Sequence, residues 1–231
     1  MPCILAIETS AHIGAVALLC GERCEQVLAE ASVRDDQKLS AWVLPAIERI
    51  IADAGLRHTA LDAIAFGAGP GSFTGVRTAC ATAQSLAYAW QRPLVMVDSL
   101  EALAEASTAA NVCVVLDARM REVFSASFAR LGDGELERLT ATTVSAPDAV
   151  VVAAGAELIG SGAPLLPAPS VAAVAATARC EAAWAHGVAW VAARKLARGE
   201  TTDAVHAEPI YVRNNVALTE VERKQAREAA A

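Results

Sequence analysis

The chain has 231 residues, which is enough for one large domain or two small ones. Its formal net charge of −7 argues against unaided binding to nucleic acid, because such binding needs a basic face. Hydrophobic residues make up 55% of the chain, but the longest uncharged run, residues 158–178, is broken by prolines, which excludes a simple membrane helix.

No charged leader with a cleavage site is visible at the start, since Met1-Pro2 leads directly into an apolar run. We therefore expect a cytoplasmic protein. The six cysteines lie in apolar surroundings, and only Cys20 and Cys24 are close together in the sequence. A disulfide scaffold is not expected at this chain length, so the cysteines are predicted to be reduced thiols of the core.

The first half of the chain predicts a mixed sheet covered by helices. Short apolar runs bounded by turn residues indicate strands, and longer segments with apolar residues at helical spacing indicate helices. Together they favour an α/β fold. In chain order, the predicted elements are strands 3–8, 14–20 and 23–29, helix 39–54, strand 61–66, helix 76–90 and strand 94–97.

The second half repeats this pattern only in part and has no second rich glycine loop. We predict a first lobe at 1–98, a shortened second lobe at 99–218 and a frayed charged tail at 219–231. The predicted elements are helix 100–106, strands 112–116 and 122–128, a further short strand after the turn 132–134, helix 146–153, strand 157–159, loop 160–169, helix 181–199 and an extended piece 209–212.

A glycine-rich segment, Gly-Ala-Gly-Pro-Gly-Ser-Phe-Thr-Gly-Val-Arg at 67–77, joins a predicted strand to a predicted helix. Glycines here permit positive φ and the close approach of another backbone. Ser72 or Thr74 can cap the helix, and its first N–H groups can hold an anion or seat a neighbouring backbone. No Lys follows, so the segment is not a P-loop. A structural role is predicted for Gly69, Gly71, Ser72, Thr74 and Gly75.

Candidate catalytic groups are sparse. Glu8 stands after the first strand, where a metal-assisted phosphoryl site would want an aspartate. The four histidines show no metal-ligand spacing, and Ser72 does not stand in a nucleophile elbow. Asp117, Arg119 and Glu122 can form an ion-pair network or bind a polar ligand. We therefore predict no catalytic, cofactor-binding or metal-binding residue.

Two helical stripes have the composition of a partner interface. Both carry small residues that allow close approach, together with Trp, Tyr and Arg, which are typical interface anchors. A solvated face with scattered apolar residues is the alternative. The first stripe is Leu39, Trp42, Ala46, Arg49 and Asp53, and the second is Arg77, Ala81, Gln84, Ser85 and Tyr88.

Several segments in this order resemble the TsaB family, and the match spans nearly the whole chain. They are residues 4–10, the Leu-Pro pair at 44–45, the glycine segment at 69–77, residues 117–119 with 122–124, and residues 208–215. The family usually has a His-Ser pair ahead of the Leu-Leu-Pro of its first helix, where this chain has Leu39-Ser40. That departure leaves a role for such a histidine in doubt here.

The resemblance implies the ribonuclease H-like fold of actin-like ATPases and sugar kinases, with two lobes and a reduced second domain. It also implies a non-catalytic subunit that binds no cofactor itself and forms a heterodimer with TsaD through a bundle of the two helices. TsaD carries the metal and transfers threonylcarbamoyl to tRNA, and the ATPase TsaE joins the complex. Homodimers would use the same surface, and tRNA would be met only through the complex.

Two other functions remain open from the sequence. One is an ATP-dependent small-molecule kinase or hydrolase of the same fold, which a catalytic Asp after the first strand would favour. The other is a glycoprotease-like metallopeptidase, a function suggested by similarity to TsaD. The chain has no His-x-x-x-His pair, which argues against the peptidase.

Overall fold

A computed structural model of the chain describes its two sheets and the helices that cover them. The predicted tail at 219–231 lies outside the described residues, as do Cys180 and positions 181–183 of the predicted helix 181–199. No helix in the described part is long and apolar enough to span a membrane. The described residues are 2–10, 13–21, 24, 26–34, 38–132, 134–167 and 184–213.

The first half of the chain forms a mixed five-stranded sheet. Its strands are β1 (Cys3–Glu8), β2 (Ile13–Cys20), β3 (Gln26–Arg34), β4 (Ala63–Gly69) and β5 (Leu94–Asp98). They lie in the order β3-β2-β1-β4-β5, with β1 antiparallel to β2 and parallel to β4, and with β4 parallel to β5. β1 and β4 are buried along their whole lengths, as expected for central strands with near-continuous apolar runs.

Helices cover both faces of this sheet. α1 (Leu39–Asp53) and α2 (Phe73–Trp90) lie on one face, α3 (Ser99–Glu105) follows β5, and α4 (Trp184–Ala197) covers the other face. Alternate β1 side chains point to opposite faces, so that Leu5 packs beneath α1 and α2 whereas Ile4 packs beneath α4. Burial of an aliphatic side chain of this size contributes about 1.5–3 kcal/mol to stability.

The second sheet is formed by later strands. They are β6 (Asn111–Arg119), β7 (Glu122–Arg130), β8 (Leu136–Arg138), β9 (Thr143–Ser145) and β10 (Glu157–Ile159). The order is β10-β6-β7-β8, with β9 also paired to β7 and with β10 parallel to β6. α3 packs against β6 and α4, so it lies between the two sheets. The division of the chain at residue 98 stays a prediction.

Most predicted elements are confirmed, with shifted ends. β3 begins three residues later than predicted and continues to Arg34, opposite Ile13 of β2. β4 runs into the glycine segment as far as Gly69. α2 begins at Phe73 rather than at residue 76, because Ser72 caps it.

The predicted helix at 146–153 is wrong. Only a single 3-10 turn, Pro147–Ala149, forms there, and the backbone is already extended at Val150. Val150 and Val152 pack against a small core cluster beside the second sheet. Tertiary packing of these β-branched residues therefore outweighs the helical pattern of the alanines around them.

The prediction that all cysteines are reduced is wrong for one pair. Cys3 and Cys20 lie directly opposite each other in the antiparallel pair of β1 and β2, with Cα atoms 4.2 Å apart, and a disulfide joins them. Only the register of the two strands brings them together, since 17 positions separate them in sequence. Cys24, Cys80 and Cys113 are buried outside this disulfide, and burial raises the pKa of the Cys80 and Cys113 thiols.

Candidate functional site

The turn that follows β1 packs directly against the glycines of the glycine segment. A Cβ atom added at Gly75 would overlap the carbonyl oxygen of Thr9, and one added at Gly71 would overlap Ser10. The Thr9 hydroxyl donates a hydrogen bond to the Gly75 carbonyl oxygen over 2.6 Å. The Ser72 N–H donates to the Ser10 carbonyl oxygen, also over 2.6 Å. These contacts are those of a segment that seats a neighbouring backbone, one of the two roles left open by the sequence.

Two N–H groups at the start of α2, those of Ser72 and Gly75, have hydrogen-bond partners within the chain. The Ser72 hydroxyl accepts a hydrogen bond from the Gly75 N–H over 3.4 Å, which is the geometry of a helix cap. Thr74 is exposed, and its carbonyl oxygen accepts from the hydroxyl of Thr78 over 2.9 Å. Gly69 has a φ of +99°, in the region that favours glycine. The glycines thus join β4 tightly to α2.

Glu8 is a fully buried carboxylate at the end of β1. Its Oε1 accepts from the Ser10 N–H over 2.6 Å, and its Oε2 accepts from the Ser99 hydroxyl over 3.0 Å. A Cβ atom at Gly67 would overlap this carboxylate, so glycine is needed beside it. Burial raises the pKa of the Glu8 carboxyl, and the hydrogen bonds from Ser10 and Ser99 oppose that rise. Glu8 thereby ties β1 to the first residue of α3.

A cleft opens between the carboxyl ends of β1 and β4 and the turn between β6 and β7. Its cavity volume is about 280 Å³. Asp117 and Arg119 on its wall form an ion pair of 3.3 Å, and Arg213 pairs with Glu122 and donates to the Ala118 carbonyl oxygen over 3.2 Å. Ion pairs therefore form at the predicted charged cluster. The cleft is lined chiefly by Ser10, Pro70, Phe73, Phe124, Trp184 and Tyr211.

The predicted stripe on α1 is mostly turned toward the core. Ala46 is 6% exposed within the core, and Leu39 and Trp42 are half-buried. Arg49 is exposed and pairs with Asp53 over 3.9 Å along the same helix. The solvent-facing side of α1 instead presents Ala41, Leu44, Pro45 and Glu48, with Leu44 45% exposed.

The predicted stripe on α2 faces solvent except at one position. Arg77, Ala81 and Ser85 are exposed, and Tyr88 is 79% exposed. Gln84 points inward, where its amide nitrogen donates to the carbonyl oxygens of Ala204 and Ala207 over 3.0 and 2.9 Å. Phe73, 57% exposed and four residues before Arg77, extends the row. We define the outer stripe of α2 as Phe73, Arg77, Ala81, Ser85 and Tyr88.

Residues 202–213, which we call the C-terminal strap, return to the first sheet and to α2. Thr202 pairs with Leu94 at the start of β5, and the Ile210 N–H donates to the Ala68 carbonyl oxygen over 2.7 Å. Arg77 donates from Nε to the Tyr211 hydroxyl over 3.1 Å. Phe73 and Tyr211 were not predicted from the sequence as surface or site residues. Phe73 lies four residues before Arg77 on α2, and this helical spacing could have indicated that it extends the row. Tyr211 is distant in sequence, and only the fold brings it next to Arg77.

Within the described residues, no group of three or more His, Cys, Asp or Glu side chains is placed to hold a metal ion. His58 and His206 are exposed, and His206 contacts Asp203 over 2.8 Å. His186 is half-buried on α4, and His12 lies outside the described part. The histidines that are described are thus dispersed over the molecule.

Two sheets flanking a cleft, with a strand-to-helix glycine segment at its edge, define an α/β protein with the fold of the actin-like ATPases and sugar kinases. A family model described as "TsaD: tRNA N6-adenosine threonylcarbamoyltransferase" matches residues 26–176. The solved structure of YeaZ from Pseudomonas aeruginosa superposes with a TM-score of 0.78 at 32% identity, over 91% of this chain and 100% of that one.

Two curated relatives are named as tRNA threonylcarbamoyladenosine biosynthesis protein TsaB. The Escherichia coli protein is 30% identical over 249 aligned positions, covering 96% of this chain and 99% of that protein. The Haemophilus influenzae protein is 40% identical over 132 positions, covering 55% of this chain and 54% of that protein. The chain belongs to the TsaB family.

Proposed function

We propose that this chain is a non-catalytic scaffold and activator subunit that forms a heterodimer with TsaD for synthesis of threonylcarbamoyladenosine on tRNA. The heterodimer forms in the cytoplasm through the solvent-facing sides of α1 and α2, and the ATPase TsaE joins it. The same surface allows a homodimer when TsaD is absent. The transferase chemistry belongs to TsaD, and this chain supplies a docking surface and a fixed geometry.

The observation that carries this proposal is the outer stripe of α2. Aromatic side chains stand at both ends of the helix, Phe73 and Tyr88, and the small residues Ala81 and Ser85 stand between them. Such a row allows another helix to approach closely at its centre, while the aromatic rings anchor it at each end. Leu44 on the neighbouring helix α1 adds exposed apolar surface beside the row.

The glycine segment supports a role other than nucleotide chemistry. The β1 turn occupies the space beside Gly71 and Gly75, and the Ser72 N–H is bonded to Ser10. Glu8 is enclosed by hydrogen bonds from Ser10 and Ser99 rather than presented to the cleft. No observation on the described residues favours the kinase, hydrolase or metallopeptidase alternatives.

The test is direct pairing between purified subunits. Isothermal titration of the chain into TsaD is expected to give a stoichiometric complex, and Tyr88→Glu is expected to weaken it strongly by placing a charge in the contact. Val151→Glu is the matched control, because Val151 is 86% exposed beside the second sheet and the variant adds the same single charge. Unchanged affinity of Tyr88→Glu, or ATP turnover by the isolated chain, contradicts the proposal.

A further inference from the structure

An open groove lies at the carboxyl end of the outer stripe of α2. Its volume is about 1050 Å³, and residues from the end of α2 and from the first part of the C-terminal strap line it. Tyr88, the last residue of the outer stripe, is among them. The surface that α2 presents to solvent therefore continues onto a second segment of the chain.

Two exposed apolar side chains, one from each segment, line this groove. Tyr88 of α2 and Val205 of the strap are each 79% exposed. Ala87, which is only 3% exposed, adds an apolar patch to the wall. Apolar surface that stays open on neighbouring segments is typical of a site where another protein binds. The groove therefore suits an apolar side chain of a second molecule.

Hydrogen bonds fix the turn of the strap that carries Val205. Oδ1 of Asp203 accepts from the N–H groups of Val205 and His206, each over 2.9 Å. Thr202 and Leu94 exchange two backbone hydrogen bonds, each of 2.9 Å, at the start of β5. A segment that is already ordered loses less entropy when a partner binds it. Val205 is thus held in place before any partner arrives.

Arg92 gives the groove a positive charge that no carboxylate of the described residues neutralises. Its Nη2 donates to the Thr59 carbonyl oxygen over 2.7 Å, and it forms no ion pair in the described part of the chain. The groove also contains Asp203 and His206, but these engage each other, with the ring Nδ1 of His206 2.8 Å from Oδ1 of Asp203. A partner that brings a carboxylate to the groove would therefore meet a complementary charge at Arg92.

The two helices by themselves present less surface than a stable complex uses. Stable protein–protein interfaces involve about 20–30 residues on each side. The exposed side chains of the outer stripe and of α1 together are fewer than that. A heterodimer formed through these helices therefore has to bury further surface, and the groove is continuous with the outer stripe through Tyr88.

We propose that TsaD also docks in this groove, with an apolar side chain that contacts Tyr88 and Val205 and a carboxylate that pairs with Arg92. The inference rests on the proposed function, because it takes TsaD as the partner. It goes beyond that function by adding the C-terminal strap to the interface. It also states the chemistry of the TsaD segment, which carries an apolar residue close to an acidic one. A second copy of this chain is the competing occupant.

The experiment is isothermal titration of the full chain into purified TsaD. Val205→Glu puts a charge in the apolar part of the groove and is expected to weaken the affinity by about tenfold or more, as for a central interface residue. Val151→Glu makes the same change at a side chain that is 86% exposed beside the second sheet, and should bind with wild-type affinity. Both variants should keep the wild-type melting temperature, because both side chains are exposed.

The carboxylate contact is tested by changing Arg92 and the salt concentration. Arg92→Gln removes the charge and is expected to weaken the affinity by about threefold at low salt, as for an ion pair at the edge of an interface. The affinity of this variant should also depend less on salt than that of the wild type, because added ions screen the lost pair. Arg92→Lys keeps the charge and should keep the wild-type salt dependence.

Several results overturn the inference. They are wild-type affinity of Val205→Glu for TsaD, an equal loss in Val151→Glu, or a loss in Val205→Glu that is confined to self-association of the chain in sedimentation. An unchanged salt dependence in Arg92→Gln overturns the carboxylate contact. If Tyr88→Glu weakens the complex and Val205→Glu does not, the inference fails and the proposed function stands. If the wild-type chain does not bind TsaD, the proposed function fails and the inference fails with it.

Discussion

The first turn of α2 and the outer stripe of α2 belong to one helix but have opposite surroundings. At the first turn, Gly75 is buried against Thr9 and the N–H of Ser72 is bonded to Ser10. Along the outer stripe, Ala81 and Tyr88 face solvent. The part of the helix with the distinctive sequence is used for internal packing, and the part with ordinary composition is the one open to another molecule.

The largest effect is expected from closing the space at the first turn. Gly75→Ala places a methyl group where the Thr9 carbonyl oxygen lies, so either β1 or α2 must move. Overpacking of this kind costs about 1–3 kcal/mol or more of the free energy of unfolding. Urea denaturation measures the loss, and the wild-type m value would show that the unfolding remains two-state.

Gly132→Ala is the matched control for that substitution. A Cβ atom at Gly132 meets no atom within 4 Å, and its φ is not in the positive region. This variant should therefore stay within about 0.5 kcal/mol of the wild type. An equal loss in the two variants would contradict the view that Gly75 is needed for contact with Thr9.

The next effect is expected on pairing rather than on stability. Ala81→Arg puts a long charged side chain at the centre of the outer stripe and should weaken the complex with TsaD by about 2 kcal/mol or more, as at interface hot spots. Its circular dichroism and melting temperature should match the wild type, because Ala81 is exposed. Co-elution with TsaD at wild-type strength in size-exclusion chromatography would remove the outer stripe from the interface.

Gln84 sharpens the comparison, because it lies on α2 next to the outer stripe but points inward. Gln84→Ala removes the donor to the carbonyl oxygens of Ala204 and Ala207 and should cost about 1–2 kcal/mol of the free energy of unfolding. Affinity for TsaD, measured by isothermal titration at a temperature where the variant is folded, should be unchanged. If Gln84→Ala weakened the affinity for TsaD but left the free energy of unfolding unchanged, Gln84 would belong to the interface instead.

The smallest expected effect concerns the pH dependence of stability. Because burial raises the pKa of Glu8 above its ordinary value of 4.5, the folded chain holds this proton more tightly than the unfolded chain. The stability that protonated Glu8 contributes is therefore fully present below the ordinary pKa. It is lost as the pH rises from the ordinary pKa through the raised one, and does not change further above that. Glu8→Gln should flatten this fall and be at least as stable as the wild type at neutral pH.

The measurement is chemical denaturation at a series of pH values. Glu48→Gln, a change of the same chemistry on the exposed side of α1, is the control and should keep the wild-type profile. If the free energy of unfolding of Glu8→Gln still fell over the same pH interval, other titratable groups would be responsible for the fall.

The sequence predicts the fold well where the signal is local. Apolar runs and glycines locate β1, β4, α1 and α2 to within a few residues, and Ser72 is correctly considered as a cap. Contacts between distant segments are not visible in such patterns. The disulfide of Cys3 and Cys20 depends on strand register, and the inward turn of Gln84 depends on a segment more than a hundred positions away.

Of the side chains that the sequence assigns to the candidate surface, the structure leaves only some facing solvent. Helical spacing places Trp42 and Ala46 on one stripe, but it cannot say which side of that stripe meets the sheet. The structure packs both against the core and exposes Leu44 instead. On α2, helical spacing correctly places Ala81 and Ser85 on the exposed side. The buried side of the same helix carries alanines and packs against β4.

The C-terminal strap has a consequence for how the molecule is made. Thr202 bonds to the start of β5, Ile210 bonds to the end of β4, and Arg213 reaches Glu122 in the second sheet. On a translating ribosome, every strand of both sheets emerges before these residues do. The cleft therefore lacks the wall formed by Ile210, Tyr211, Val212 and Arg213 until this late segment has been synthesised.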